Sequence, residues 1–456
     1  MKPLDNKRPG RAVDQLESWG RYPRVPARLF RPERMRDFHA GEGPSLARGL
    51  GRSYGDAALL TDGDVVLSER LDRCLEFNPE TGVLRAEAGL SLDALIRAFV
   101  PQGWFVPVTP GTAFCTLGGC VAANVHGKNH HRDGSFRQGV TSLEMLTADG
   151  SVRDLTPADG DDFEFAFGGM GLTGMIREVE LQLRPITTSM MMVRHSVAGN
   201  LPELMAQMDD EARDDQYSVA WVDLLARGER AGRGVLMTGH HAEINELPMR
   251  YAAHPETLLT DRPGRARPFP FEAPTWLLSP GNLRLFNSMY HKWQGRKGTF
   301  FTPLRTFFHP LDAIRNWNRM YGKPGFVQYQ FVVPFESGRE AVTEAISRLN
   351  AAQASSFLAV LKRMGASDGG PLSFPMPGYT LALDIPLREG VIDLLNNLDA
   401  LVADHGGRVY LAKDSALRPD TFRRMYPEWE RFVIHKRQVD PDGRWQSDLA
   451  RRLELV

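Results

Sequence analysis

Residues 48–56 read Arg48-Gly49-Leu50-Gly51-Arg52-Ser53-Tyr54-Gly55-Asp56. Glycine reaches positive φ without a Cβ clash and lets successive backbone N–H groups approach a ligand closely, the geometry by which loops bind pyrophosphate. Two more such stretches follow. Residues 110–128 run PGTAFCTLGGCVAANVHGK and residues 168–174 run GGMGLTG. None has the GxGxxG spacing of a dinucleotide fold or the GxxxxGK[ST] of a nucleotide hydrolase, so those two classes have no support. A single glycine cluster is the mark of any tight turn; three in sequence ask for a common purpose.

The elements between these loops describe an α+β domain. Asp64–Ser68 and Val83–Ala88 read as strands, and Ser91 caps an apolar-periodic helix, LDALIRAFV, that stops at Pro101 and Gly103. LTADGSVRDL predicts a hairpin in which Asp149 and Gly150 both take positive φ. In IREVELQLRP, Val179, Leu181 and Leu183 alternate with polar residues, a half-buried strand ended by Pro185. From about residue 191 the elements lengthen. Residues 327–333, 357–362 and 379–384 read as strands, with helices near 339–352 and 390–404. Strand alternation sets Val327, Tyr329, Phe331 and Val333 on one face and Gln328 and Gln330 on the other, with Lys362 and Thr380. That polar face is either a binding-site floor or a surface turned to water. Residues 255–305 combine five prolines before the midpoint with eight basic and three acidic residues and many aromatics. They predict an irregular, mobile segment suited to a membrane interface or a lid over a lipid-like ligand.

Composition bounds the function classes. In 456 residues, Lys plus Arg number 55 against 56 Asp plus Glu, a net charge of −1 that lacks the basic footprint of a nucleic-acid binder. No apolar run approaches the ~18 residues of a membrane span, and the first 25 residues carry no signal peptide, so the cytoplasm is the expected location. Cys74, Cys115 and Cys120, an odd count without a CxxC pair, read as reduced packing thiols. His126 and His130 stand at i, i+4, a spacing that can hold metal, but Gly127 interrupts them and no metal is expected.

In this order the three loops resemble the FAD-binding domain of the vanillyl-alcohol oxidase and para-cresol methylhydroxylase superfamily. The second loop continues as His126-Gly-Lys-Asn-His-His131. With FVQYQFVVP (326–334), PLSFPMPG (371–378) and SDLARRLELV (447–456), the chain from about residue 15 onward resembles the decaprenylphosphoryl-β-D-ribose 2′-oxidase family. The resemblance implies an α+β fold: an FAD-binding domain in two parts, residues 1–190 and 407–456, around a substrate domain, residues 191–406, whose antiparallel sheet is covered by helices. It implies FAD contacts at Arg48, Gly49, Leu50, Gly51, Arg52, Ser53, Tyr54, Gly55 and Asp56 in the first loop. Gly111, Thr116, Leu117, Gly118, Gly119, Ala123, Asn124 and His126 follow in the second, Gly171, Gly174 and Ile176 in the third, and Tyr410 near the C-terminus. Lactone oxidases of the superfamily bond flavin covalently to a histidine in the first loop. Arg52 stands there in this chain, so FAD is expected to be non-covalent. Mycobacterial members of the closer family carry, on the strand that reads YTLALD here, a cysteine that nitroaromatic inhibitors modify; this chain has Ala382.

The implied reaction removes hydride from C2′ of a ribose joined through phosphate to a polyprenyl chain, giving a 2′-keto sugar. Lys413, in VYLAKDS, matches the family's active-site lysine; His126 is the competing base, and sequence does not choose between them. Gln328, Gln330, Lys362, Tyr54 and Thr380 are the expected substrate contacts. The implied partners are the polyprenyl-phosphate sugar, a separate NAD(P)-dependent short-chain reductase that completes epimerisation to the arabinose, and a peripheral contact with the inner membrane. Two alternatives remain open at this stage: an FAD enzyme of a soluble sugar, polyol or aldonolactone, and a flavin-binding subunit without turnover.

Overall fold

The computed structural model describes residues 10–456 except 40–42, 212–214, 262, 263, 265, 355 and 357. Arg262 and Arg265, expected to add charge to the basic segment, lie outside the described residues. So does residue 357, where a strand was expected to begin; the strand runs Ala359–Met364.

Three large sheets carry the described residues, beside two short two-stranded ones. The first orders its strands Arg11–Glu17, Arg24–Phe30, Asp64–Leu67, Ser45–Arg48, antiparallel in the first pair and parallel in the others. The second is antiparallel and runs Cys74–Phe77, Val83–Glu87, Met175–Gln182, Val140–Leu146, Val152–Leu155. Val179 and Leu181 are buried there, as the alternation requires. Ser91 caps the Leu92–Phe99 helix by accepting from the Ala94 N–H at 3.1 Å. The Asp149-Gly150 turn differs from expectation: only Gly150 has positive φ. Asp149 instead turns its carboxylate back to accept from the Thr147 hydroxyl (2.6 Å) and the Ser151 N–H (2.9 Å), a side-chain solution to the same reversal.

The third sheet has eight antiparallel strands in the order Thr299–Pro303, Met190–Ala198, Gly234–His241, Tyr217–Val222, Ala359–Met364, Gly378–Pro386, Phe326–Val333, Arg408–Val409. The helices Leu201–Glu211, Phe335–Ala351 and Val391–Asp404 pack on one face of it and complete one large apolar core. Arg408–Val409 still pairs with Phe326–Val333, so the last sheet strand falls just beyond residue 406. The stretch 255–305, expected to be irregular, holds the helix Pro280–Gln294 and the edge strand Thr299–Pro303. Pro280 opens that helix, where the missing N–H costs nothing. Cys74 is exposed rather than packed, while Cys115 and buried Cys120 touch, sulfur to sulfur, at 3.5 Å. The C-terminal residues return to the first sheet: Asp448 accepts from Thr61, and Arg452 grips Asp56 and Asp414, each at 2.8 Å.

Candidate active site

Sheet register places the polar residues on one face. Directly opposed residues point the same way, and the pairs are Gln328 with Asp384, Gln330 with Ala382, and Thr380 with both Val332 and Lys362. Gln328, Gln330, Thr380, Ala382, Asp384 and Lys362 therefore share the face opposite the three covering helices. The glutamines are not turned to water: Gln328 is 7% exposed and Gln330 1%. Gln330 Nε2 donates to Thr380 Oγ1 and to His126 Nε2, both at 2.9 Å. The His126 ring lies against Phe374 and Tyr410, with centroids 5.3 and 5.1 Å away. Tyr410 in turn donates from its hydroxyl to the Ala123 carbonyl at 2.8 Å. Lys413 follows at the end of the turn Leu411–Lys413, its Nζ 5.8 Å from the Tyr54 ring centre and 6.0 Å from that of Tyr410.

The electrostatics of this cluster are those of cations deprived of water. Burial lowers Lys413 to about 8, opposed by the charge of Asp384. It lowers Lys362 well below the ordinary lysine range, and the positive charges of Lys413 and Lys128 lower it further. Lys128, which the sequence reading passed over although it stands in the quoted HGK run, is lowered by burial to about 7. Its ammonium donates to the carbonyls of Phe307 (2.9 Å) and Phe308 (3.0 Å). His126 is held well below its usual value by burial first and then by Lys362, His130 and Lys413, so it is neutral. Asp384, also missed, accepts from Gln328 Nε2 at 2.5 Å and from the Tyr321 hydroxyl at 3.2 Å; burial raises it to about 6. Its signal was alternation: Thr380, Ala382 and Asp384 share one parity. Buried His126 Nδ1, Gln328 Oε1 and Gln330 Oε1 have no hydrogen-bond partner among the described residues. Three buried orphans on the site's residues mark a place built for a polar ligand.

Beside this cluster the first glycine loop leaves strand Ser45–Arg48. The N–H groups of Gly49, Leu50, Gly51, Arg52 and Ser53 donate to no acceptor among the described residues, and Gly51 takes φ +61°. Gly49 presses on the second loop: a Cβ there would stand 2.2 Å from Thr116 Oγ1. Gly55 presses on the residue that ends the Leu411–Lys413 turn, since a Cβ would stand 1.6 Å from the Asp414 carbonyl oxygen. Tyr54 donates its N–H to the Ala412 carbonyl at 3.0 Å. A row of unpaired N–H groups, closed by glycine contacts on both sides, fits the pyrophosphate of a dinucleotide such as FAD.

The structure separates backbone from side chain among the expected cofactor residues. Arg48 sends its guanidinium to the carbonyls of Ala58 (2.6 Å) and Glu17 (2.7 Å), and Arg52 donates to the Phe114 carbonyl at 3.0 Å while lying over the Trp19 ring. Asp56 is paired with Arg452. Asn124 Nδ2 donates to Ser373 Oγ, and its Oδ1 accepts from Ser135. These side chains build the loops. Thr116 caps the helix Leu117–Ala122, in which Gly118 and Gly119 lie, through a bond from Gly119 N–H at 3.2 Å. Gly118 and Ile176 pack together, and Gly174 against Met145. Gly111 and Gly171 have nothing within 4 Å of a Cβ position; the first is exposed, the second half-buried.

Comparison with known proteins accords with this geometry. Residues 33–156 match the model of an FAD binding domain, and residues 320–453 that of D-arabinono-1,4-lactone oxidase. The chain is 39% identical over 427 residues, 90% of its length and 89% of the relative's, to the decaprenylphosphoryl-β-D-ribose oxidase of Mycolicibacterium smegmatis. It is 24% identical over 418 residues, 89% of each chain, to the L-gulono-1,4-lactone dehydrogenase of Mycobacterium tuberculosis. A D-2-hydroxyglutarate dehydrogenase of Xanthomonas citri shares 34% identity over 134 residues, 28% of each chain. The chain belongs to the decaprenylphosphoryl-β-D-ribose oxidase family of FAD-dependent oxidoreductases.

Proposed function

We propose that the protein oxidises the 2′-hydroxyl of a polyprenylphosphoryl-β-D-ribose to the 2′-keto sugar, the first half of an epimerisation to the arabinose. The observation that carries this reading is the excess of buried lysines over carboxylates around the site. Lys128, Lys362 and Lys413 are all desolvated, and the carboxylate that opposes Lys413 is Asp384. Desolvated ammonium groups are costly alone and become favourable once an anion joins them. A phosphate on the carbon next to C2′ is such an anion; an uncharged sugar or lactone is not.

FAD, when bound, supplies the two-electron acceptor for the hydride that leaves C2′. The hydroxyl proton must go elsewhere, and Lys413 is the group suited to take it, because burial brings its neutral form within reach near pH 8. His126 has a different part. With Gln330 Nε2 donating to its Nε2, the ring proton lies on Nδ1, so His126 is a donor there and orients a sugar oxygen rather than accepting a proton. Gln328 Oε1 and Gln330 Oε1 are free acceptors for sugar hydroxyls. Lys362 and Lys128 hold the phosphate. Phe374 and Tyr410, packed around His126, keep bulk water from the reacting carbon.

A separate NAD(P)-dependent short-chain reductase completes the epimerisation in this reading. No described helix is long and apolar enough to cross a membrane; we place the protein in the cytoplasm, peripheral to the inner membrane, where its lipid-linked substrate resides. The match of residues 320–453 to a lactone oxidase supports a second reading, oxidation of a soluble aldonolactone. Anaerobic titration of the holoenzyme with a short-chain prenylphosphoryl ribose and, separately, with L-gulono-1,4-lactone tests the choice. Bleaching of the flavin absorbance by the ribosyl phosphate alone is expected; bleaching by the lactone alone would move the function to the second reading.

A further inference from the structure

The helix Pro280–Gln294 carries apolar residues on its outward as well as its inward side. Its inward side mixes apolar and polar groups: Leu283 and Gln294 are buried, Asn287 Nδ2 donates to Asp223 Oδ1 at 2.7 Å, and Ser288 accepts from Arg233 at 3.0 Å. Its outward side carries Leu285, Phe286, Met289 and Trp293, which are 65%, 46%, 64% and 59% exposed. At about 100° per residue these four fall within one stripe about 100° wide. Trp276, just before the helix, is 66% exposed as well. An outward apolar stripe of this kind on a folded chain asks for a cover.

Charge says what the cover is. From Ala273 to Leu311 there is no acidic residue, against five lysines and arginines, in a chain whose net charge is −1. Lys297 stands 4.2 Å above the Trp293 ring centre, a cation set beside an exposed aromatic. At the start of the helix, Arg284 joins Arg227, Arg230 and Arg233 around a cleft of about 260 Å³. Asp223 on its wall is already taken up by Arg233 (2.8 Å) and Asn287. Arg227, Arg230 and Arg284 have no carboxylate in salt-bridge range among the described residues, although Glu229 stands between two of them in sequence. An apolar stripe edged by basic residues, with a cleft of unpaired arginines at one end, complements a surface of anionic phosphate headgroups over acyl chains.

The helix is also on the site's side of the large sheet. Trp221 is opposed to Val360, Val360 to Ala382, and Ala382 to Gln330, so all four point to one face. Tyr290, on the inward side of the helix, packs at a tilt against Trp221 with ring centres 4.9 Å apart. We propose that the outward face of Pro280–Gln294, with the cleft of Arg227, Arg230 and Arg284, docks the protein on an anionic lipid bilayer, on the face of the sheet that carries Gln330. This gives the membrane contact a place and rests on the surface itself, not on the identity of the sugar.

Flotation of the FAD-loaded protein with vesicles tests it. The vesicles are phosphatidylcholine alone or an equal mixture with phosphatidylglycerol, without substrate. Binding is expected to the mixed vesicles, weakened by salt, with a blue shift in tryptophan emission from Trp276 and Trp293. Leu285→Ser with Met289→Ser should lower partition by about tenfold or more. Arg227→Gln, Arg230→Gln and Arg284→Gln together should reduce it to the level on neutral vesicles. Both variants should keep bound flavin and turnover on a water-soluble short-chain substrate. Partition equal to wild type in either variant, or equal binding to neutral and anionic vesicles, would overturn the proposal. So would a concentration-dependent dimer that the serine variant dissociates, with no vesicle binding. Absence of turnover on the ribosyl substrate with vesicle binding intact would count against the proposed reaction and leave the surface standing.

Discussion

At the scale of single residues the site turns on Lys413 and its titration. Burial depresses its pKa to about 8, so the charged form dominates below that value and the base form grows above it. The rate of flavin reduction in single turnover is therefore expected to rise with pH up to about 8 and level off beyond it, opposite in sign to a step that needs an acid. Lys413→Ala should lower that rate by about 10²–10⁴-fold and flatten the profile, with FAD still bound in stoichiometric amount. A variant that reduces at the wild-type rate would remove Lys413 from the chemistry. Ala382 makes a second residue-scale prediction, since it lies opposite Gln330 on the site face. Intact mass after turnover with a nitroaromatic inhibitor of the family should show no adduct, whereas Ala382→Cys should gain one. Lys362 and the glutamines were legible because each ends or alternates along an apolar strand, and Lys413 through the match of VYLAKDS to the family. Lys128 was not, because a lysine after glycine in a loop looks like a solvated charge until the carbonyls of Phe307 and Phe308, some 180 residues away in sequence, are seen to enclose it.

At the scale of elements, the first glycine loop, the Leu411–Lys413 turn and the C-terminal helix form one unit. Arg452 joins Asp56 to Asp414 while both carboxylates are almost buried. Arg452→Ala leaves two like charges without a countercharge and is expected to lower stability by about 3 kcal/mol, read from denaturant midpoints. Loss of FAD on dilution should accompany it, because Asp56 ends the loop that would hold the pyrophosphate. Gly55→Ala acts on the same pair of segments by sterics, setting a Cβ 1.6 Å from the Asp414 carbonyl oxygen, and should release FAD together with a loss of stability; tight flavin retention in that variant would separate the loop from the cofactor. The elements of this region were readable from sequence, down to the Ser91 cap and the alternation in Met175–Gln182. The helix Pro280–Gln294 was not, because apolar residues on both its inward and outward sides erase the one-sided stripe by which a surface helix is known. The Asp149 turn was missed for another reason: a side-chain carboxylate can reverse the chain without a second positive φ.

At the scale of the whole molecule, the FAD-binding loops and the polar face of the eight-stranded sheet meet around His126, Gln330 and Lys413, while an apolar, basic helix lies on the same side of the sheet. The arrangement suits a substrate whose phosphate and sugar leave the bilayer while its prenyl chain stays in it. Sequence order predicted this plan through the three loops, but the surplus of desolvated lysines emerges only when distant segments are brought together. The most direct measurement is anaerobic stopped-flow reduction of the holoenzyme by prenylphosphoryl ribose carrying either hydrogen or deuterium at C2′. Bleaching of the flavin absorbance that is slowed severalfold by deuterium, with acid-released FAD and a 2′-keto product, is the predicted result. Flavin that stays oxidised, or that bleaches at the same rate with both isotopes even when chemistry is made limiting at low pH, would contradict hydride removal from C2′ at this site.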